Sequence, residues 1–369
     1  VSLHKSCANA QHLRPTLLAL SVLSLAALVS CGKDDDNDNA APAANPTVTA
    51  APTVTAAPTV AGTAADTRAT GFWVSSSSLR IISRYDLNGA IKTPLIDLKS
   101  VLGANGGITA LTFLDATNLL VFFDPDTTGK PESVALVDAK KGVVKSKAWF
   151  TDGTNLSDVK SFSIVTGFIA NTALIPNGTK VLRLYYDTAL NPSATASVWL
   201  TGTTLSGCPF TRIENLQSVT VSGKKYLFLT GANDAEMRIN VIALAAGEPQ
   251  CVQSYVTSAA GQPTAADDLP VNVVRMTDGR IYALFQSATK SKIVSYAFNG
   301  KALSGAKAVF SDQDILGALP RGLAARSSLR MLVGNTNDDK VCEVTTAGAF
   351  SGFCVNNSFT QDVSAIVPQ

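Results

Sequence analysis

The chain has 369 residues, a formal net charge of +2 and only 16% charged residues. That length suits one large domain or two ordinary ones. The near-balance of charge excludes electrostatic steering to nucleic acid or to an anionic membrane. The only two histidines are His4 and His12. Both fall in a segment expected to be removed, so Ser-His-Asp catalysis, Cys-His catalysis and imidazole-ligated metals are excluded from the mature chain.

The N-terminus carries the most specific signal. Lys5 and Arg14 precede an apolar run over residues 16–29, too short to span a bilayer and suited to a secretory signal. The run ends in Leu28-Val29-Ser30-Cys31. This resembles the lipobox of bacterial lipoproteins. The resemblance implies cleavage before Cys31 and acylation of that residue. Several acyl chains hold a soluble domain on a membrane where one chain would not. Gly32 after the cysteine favours an outer-membrane destination, facing either the periplasm or the cell surface. The run Lys33-Asp34-Asp35-Asp36-Asn37-Asp38 is similar to acidic surface-export tags and equally reads as a solvated start to a linker.

Residues 40–66 repeat the unit Ala-Pro-Thr-Val-Thr-Ala. Regular proline without large apolar side chains predicts an extended, disordered tether, on the order of 80 Å long at ~3.1 Å per residue. The chain thus divides into a signal peptide (1–30), a lipidated tether (31–70) and a folded domain (71–369).

From Gly71 onward the sequence reads as strands and turns that repeat. Asn299-Gly300, flanked by apolar runs, is the strongest hairpin signal, its two residues expected to supply positive φ. Turn glycines at 89, 142, 202, 247, 300 and 348 mark a period of about fifty residues. A pair of strands precedes each hairpin. In the second unit these are 108–113 and 118–123, in the third 172–175 and 180–186. In the fourth they are 218–221 and 225–230, in the fifth 271–276 and 280–286, in the sixth 322–325 and 329–334. Four strands per unit predicts an all-β, six-bladed β-propeller. The first unit lacks its leading strand and the last leaves one over, at residues 362–367, so that strand is expected to join the first blade and close the ring. The rival architectures are a β-sandwich or two smaller β domains.

Four cysteines remain after Cys7 and Cys31. An oxidising compartment predicts disulfides. Cys342 and Cys354 flank one hairpin turn. Cys208 and Cys251, placed early in outer strands of neighbouring blades, pair by elimination.

In a propeller, the loops joining strands two to three and four to one share a face. Here they carry many acids. Asp124-Pro-Asp126-Thr-Thr-Gly129 alternates oxygen donors before a glycine, as calcium loops do, but lacks the acid at the twelfth position, which is Ala135. Asn335-Thr-Asn337-Asp-Asp339 alternates similarly, with Lys340 where glycine belongs. Asp267-Asp268 is a candidate carboxylate pair near the channel mouth, with solvated loop acids the favoured reading. No cofactor is expected: ordinary Asx-turn chemistry is the favoured reading of these residues, with Ca²⁺ as the one candidate beside it. The aromatic residues Trp73, Trp149, Trp199, Phe122, Phe123, Tyr185, Tyr186 and Tyr296 are expected to pack between blades. The leading expectation is a monomeric, non-enzymatic lipoprotein that binds a protein or glycan partner through its loop face. The rivals are a Ca²⁺-dependent hydrolase or lactonase and a periplasmic scaffold of envelope assembly.

Overall fold

The computed structural model describes residues 71–369, apart from 104–105, 125–131, 154–155, 157–162, 258–267, 288–289 and 359. The segments expected to be a signal peptide and a tether, with Cys31 between them, therefore lie outside the described residues.

Six antiparallel four-stranded sheets surround a common axis, forming a six-bladed β-propeller. Blade one contains β1 (Phe72–Ser76), β2 (Ile81–Tyr85) and β3 (Ile91–Asp97). Blade two is β4 (Gly107–Phe113), β5 (Asn118–Asp124), β6 (Ser133–Asp138) and β7 (Val143–Thr151). Blade three is β8 (Val165–Thr166), β9 (Thr172–Asn177), β10 (Lys180–Tyr185) and β11 (Ser197–Thr201). Blade four is β12 (Arg212–Val221), β13 (Lys224–Asn233), β14 (Glu236–Ala245) and β15 (Glu248–Val256). Blade five is β16 (Leu269–Arg275), β17 (Ile281–Gln286), β18 (Lys292–Phe298) and β19 (Leu303–Phe310). Blade six is β20 (Pro320–Ala325), β21 (Arg330–Asn335), β22 (Lys340–Thr345) and β23 (Phe350–Asn356). The expected leftover strand, β24 (Val363–Pro368), pairs with β1 from Phe72↔Pro368 to Ser76↔Val363 and supplies the innermost strand of blade one. Two single-turn helices, α1 (Lys99–Leu102) and α2 (Gln313–Leu316), lie in the connections between blades.

The core is six seams, one between each pair of successive blades. This explains why the second strands are apolar throughout. Alternate side chains of a strand point to opposite faces, and both faces of a blade are covered. In β5, Leu120 and Phe122 enter the seam with blade three, while Leu119, Val121 and Phe123 enter the seam with blade one. Outer strands alternate instead, as in β23, because only some of their side chains reach a neighbouring blade. The aromatic residues pack in the seams as expected, except Tyr185. Its ring is 45% exposed, with the Arg183 guanidinium 4.9 Å from its centroid.

Two local readings need correction. At Asn299-Gly300 only Gly300 has positive φ, at 85°. The Asn299 carboxamide oxygen accepts from the Lys301 and Ala302 amides, both at 2.9 Å, so the turn is held by the side chain rather than by two left-handed residues. Blade three, in turn, is out of register by one strand with the sequence reading. Residues 172–177 form its second strand and 180–185 its third; the first is the two-residue β8. The turn between its third and fourth strands starts at Asp187, whose carboxylate accepts from the Ala189 and Asn191 amides at 2.9 and 2.8 Å. Asp86 makes the same two bonds in blade one, but its left-handed position is Gly89, whereas blade three puts Leu190 there at φ 66°. With no glycine at that turn, the glycine spacing slid on to Gly202. Gly202 serves a different purpose. It follows β11, and a Cβ on it would lie 1.7 Å from the Phe210 carbonyl oxygen. Only glycine permits that backbone approach.

Both disulfides form as paired: Cys208–Cys251 and Cys342–Cys354. Cys342 and Cys354 face each other across β22 and β23. Cys208, however, lies in the connection 202–211 rather than in an outer strand, so its bridge fastens the approach to blade four onto that blade's own outer strand, β15. The bridge spans 43 residues, against 12 for the other. Loop-closure entropy then predicts a loss of about 4 kcal/mol for the double substitution C208S/C251S and about 3 kcal/mol for C342S/C354S. Urea denaturation of the two variants checks this order.

Candidate functional site

The described acids of the expected loops serve separate local contacts. Asp124 is the exposed last residue of β5, and Asp126 and Asp267 lie outside the described residues. Asp268 is 1% exposed and ion-paired to Lys292 at the start of β18, which corrects its reading as a solvated acid. Lys292 is 24 positions away, and strand β18 brings it back beside the entry to β16. Asn335 is fully buried. Its amide donates to Asp338 at 2.7 Å, and its oxygen accepts from the Asn337 amide at 3.1 Å. Asp339 accepts from the Asp362 amide at 2.7 Å. These groups hold turns together. Among the described residues, no three His, Cys, Asp or Glu side chains are grouped to hold a metal ion.

The innermost strands carry a different feature. Five of the six, β4, β12, β16, β20 and β24, contain a β-bulge against their neighbour. The inserted residues are Thr109, Glu214, Val271, Arg321 and Ser364. All fall within the first three residues of their strands, at the mouth facing the long connections. Bulges gather at barrel rims and beside functional sites, where they re-aim side chains.

Beneath this ring lies a cavity of about 490 Å³ in the central channel. Asn215 from β12, Asn272 from β16 and Arg321 from β20 line it, on three successive blades. Asn215 is 2% exposed, and its Oδ1 has no hydrogen-bond partner. The Oδ1 of Asn272 is buried and unpartnered as well. Most such groups in proteins are paired, so each exception calls for a physical reason. Burial lowers the pKa of Arg321 from its ordinary value, and the carboxylates of Glu214 and Asp362 act against that shift. Burial in turn raises the pKa of Asp362, reinforced by Asp339 and opposed by the Ser78 amide and Arg321. Glu214 is also ion-paired to Arg212. The mouth therefore holds compensated charge in a partly dry setting.

The sequence reading placed Asn272 in a strand without singling it out, and it missed the others because it began the first strands of blades four and six too late, at 218 and 322. Glu214, Asn215 and Arg321 fell into loops. The signal was a polar residue at the head of an apolar strand, at equal depth in successive repeats: Ile213-Glu-Asn-Leu216, Val271-Asn-Val273 and Pro320-Arg-Gly-Leu323.

Solved structures share this fold. The chain is similar to a nidogen/laminin complex component at 10% identity, covering 80% of this chain and 97% of that one, with a TM-score of 0.54. TolB from Acinetobacter baumannii matches at 13% identity, 82% and 68% coverage, and a TM-score of 0.52. The periplasmic gluconolactonase PpgL of Pseudomonas aeruginosa matches at 14% identity, 80% and 98% coverage, and a TM-score of 0.50. At such identities the likeness is one of fold alone. No protein-family profile and no curated protein matches the sequence. Propellers of this shape serve both enzymes and binding proteins, so function has to be argued from the site.

Proposed function

We propose that this chain is a lipid-anchored, extracytoplasmic binding protein, held on the outer membrane through Cys31 and engaging a protein or glycan partner with one face of its propeller. One observation carries the reading. Every first strand begins and every fourth strand ends on the same face, so the described connections 202–211 and 311–319 emerge there. The turns from first to second strands on the other face, such as 114–117, 222–223 and 326–329, are short. Long loops on a rigid scaffold are where binding surfaces are built. The described residues also contain no histidine, and their acids on this face are largely spent on turns and ion pairs.

The anchor and the face are tested separately. Cys31→Ser is expected to move the protein from the membrane fraction to the soluble fraction; retention in the membrane overturns the anchor. Protease treatment of intact cells then assigns the side of the membrane. In-cell crosslinking from residues placed in 202–211 and 311–319 is expected to capture a partner that crosslinkers placed in 222–223 and 326–329 miss. Equal capture from both faces overturns the assignment of the face.

A further inference from the structure

We infer that the face of the propeller opposite the long connections docks on an anionic bilayer surface, through an unpaired basic patch on blades four and five. The inference rests on the anchor reading for its setting, a bilayer within reach of the tether, and it uses the face that a loop-face partner leaves free. Summed over the chain the charges nearly cancel, which is why the sequence excluded attraction to an anionic membrane. Sorted by face they do not.

Lys224, Lys225, Arg275, Arg280, Lys301 and Lys307 lie in or beside the turns of blades four and five on this face, and all but the half-buried Arg280 are exposed. Among the described residues none of the six is ion-paired. Their partners are neutral. Arg280 donates to the Ser295 hydroxyl at 3.1 Å and the Gly305 carbonyl at 3.2 Å, Arg275 to the Thr220 carbonyl at 2.8 Å, and Lys225 to the Gly167 carbonyl. Lys224 stands 5.6 Å from the Tyr226 ring centroid. The patch is continuous across the seam. Tyr226 meets Phe298 edge to face at 5.0 Å, and a Cβ on Gly300 would lie 2.8 Å from the Tyr226 hydroxyl, so the turns 222–223 and 299–302 abut. Arg280 and Lys307 line one groove. Two acids share this region. Asp278 accepts from the Arg280 amide at 2.9 Å and the Tyr282 hydroxyl at 2.7 Å, and Glu248 is exposed at the start of β15. On the loop face the same two blades reverse the balance, with four cations against six acids among the described residues 212–214, 234–238, 268, 290–292 and 312–314.

The occupant follows from the charge and from where the chain enters the ring. Six cations without carboxylate partners repel one another, and a plane of phosphate headgroups supplies the missing charge. Lysine and arginine near an anionic leaflet are attracted to it, and a polybasic patch is a known second signal beside an acyl anchor. The short turns of this face let several cations approach a plane together, inside the reach of about 8 Å that physiological salt leaves to such forces. Gly71, where the expected tether joins the ring, lies on this face too. Its carbonyl accepts from the Gln369 amide at 3.0 Å, and β1 starts where β24 ends. An anchored chain thus reaches the domain from the basic side. Docking there turns the acidic loop face away from the bilayer, toward a partner.

The test places the lipidated full chain on phosphatidylcholine vesicles with and without phosphatidylglycerol. An acceptor dye sits on the headgroups, and a donor dye is attached at Ser222 on the basic face or at Thr203 on the loop face. With phosphatidylglycerol, energy transfer is expected to be stronger from 222 than from 203. The difference is expected to vanish without the anionic lipid, and at about 1 M salt, where the Debye length is about 3 Å. Lys224→Glu with Lys225→Glu, and separately Lys301→Glu with Lys307→Glu, are each expected to weaken docking roughly thirtyfold, at about fivefold per lysine lost. Lys99→Glu with Lys180→Glu makes the same charge change on the loop face and is expected to leave docking intact. Equal transfer from the two positions on anionic vesicles overturns the inference, as does a difference that survives high salt or the absence of phosphatidylglycerol, or equal effects of the variants on the two faces. A chain that does not stay with either vesicle during purification refutes the anchor instead. Docking is then read by sedimenting the unanchored chain with the vesicles: pelleting with phosphatidylglycerol vesicles alone supports it, and pelleting with neither or with both alike overturns it.

Discussion

A chain ending at Asp362 fails to fold into a cooperative unit. Removing residues 363–369 deletes β24, and the loss falls on two seams at once. Val363 and Ile366 pack between blades six and one, and Ala365 and Val367 pack between blades one and two. The whole ladder with β1 disappears, together with the buried Ser75–Ser364 hydroxyl bond at 2.9 Å and the Thr336 hydroxyl donation to the Val363 carbonyl at 2.9 Å. Burying one large aliphatic side chain contributes about 1.5–3 kcal/mol. Four apolar residues plus an orphaned ladder approach the whole stability of an ordinary domain, about 5–15 kcal/mol. The freed edge of β1 would also be a template for pairing with other chains. Circular dichroism and gel filtration of the truncated protein should show an aggregated or unfolded species. A sharp thermal transition close to that of the full chain would refute the closure argument.

Glu343→Ala is expected to destabilise the fold by about 3–5 kcal/mol, because it strands a buried cation. Glu343 lies on β22 at 1% exposure and accepts from Arg326 and Arg330, each at 2.7 Å. Arg326 is itself 2% exposed and reaches across the closing seam. It donates to the Leu87 carbonyl, and its guanidinium sits 3.9 Å from the Phe353 ring centroid and 5.5 Å from that of Phe72. Removing the carboxylate leaves that charge desolvated between two aromatic rings. The double variant Glu343→Leu with Arg326→Met removes the two fully buried charges, leaving the part-exposed Arg330, and is expected to recover much of the loss, as apolar replacements of buried ion pairs often do. Urea denaturation of the single and double variants separates the terms. A double variant worse than Glu343→Ala would mean that the pair itself, rather than the stranded charge, carries the stability.

Five blades were legible because their central strands bury both faces and their last turns carry a glycine. Blade three hid its register behind one residue, Leu190, which occupies the left-handed position that glycine fills at 89, 142 and 300. The ring closure was legible from strand counting alone. The site was less so. A bulge leaves no mark in hydrophobic alternation, since it inserts one residue and shifts the pattern, so Glu214 and Arg321 were read as loop. The burial of Asp268 depended on a lysine one hairpin away, and the unmet carboxamide oxygens of Asn215 and Asn272 depend on what packs around them in three dimensions. Neither kind of contact is written in local sequence.

The bond between Ser75 and Ser364 joins positions 289 apart. Blades two to six are each assembled from contiguous sequence, but blade one stays a three-stranded sheet until the last strand of the chain has been synthesised. Folding of this ring is thereby bound to the slowest kind of contact, one that closes nearly the full length of the domain. The order of events is set by the topology: local blades first, the circle last. Until that final step the domain is an open arc with a free edge at Phe72–Ser76, and any process that must act on an incomplete chain has the whole time of its synthesis in which to do so.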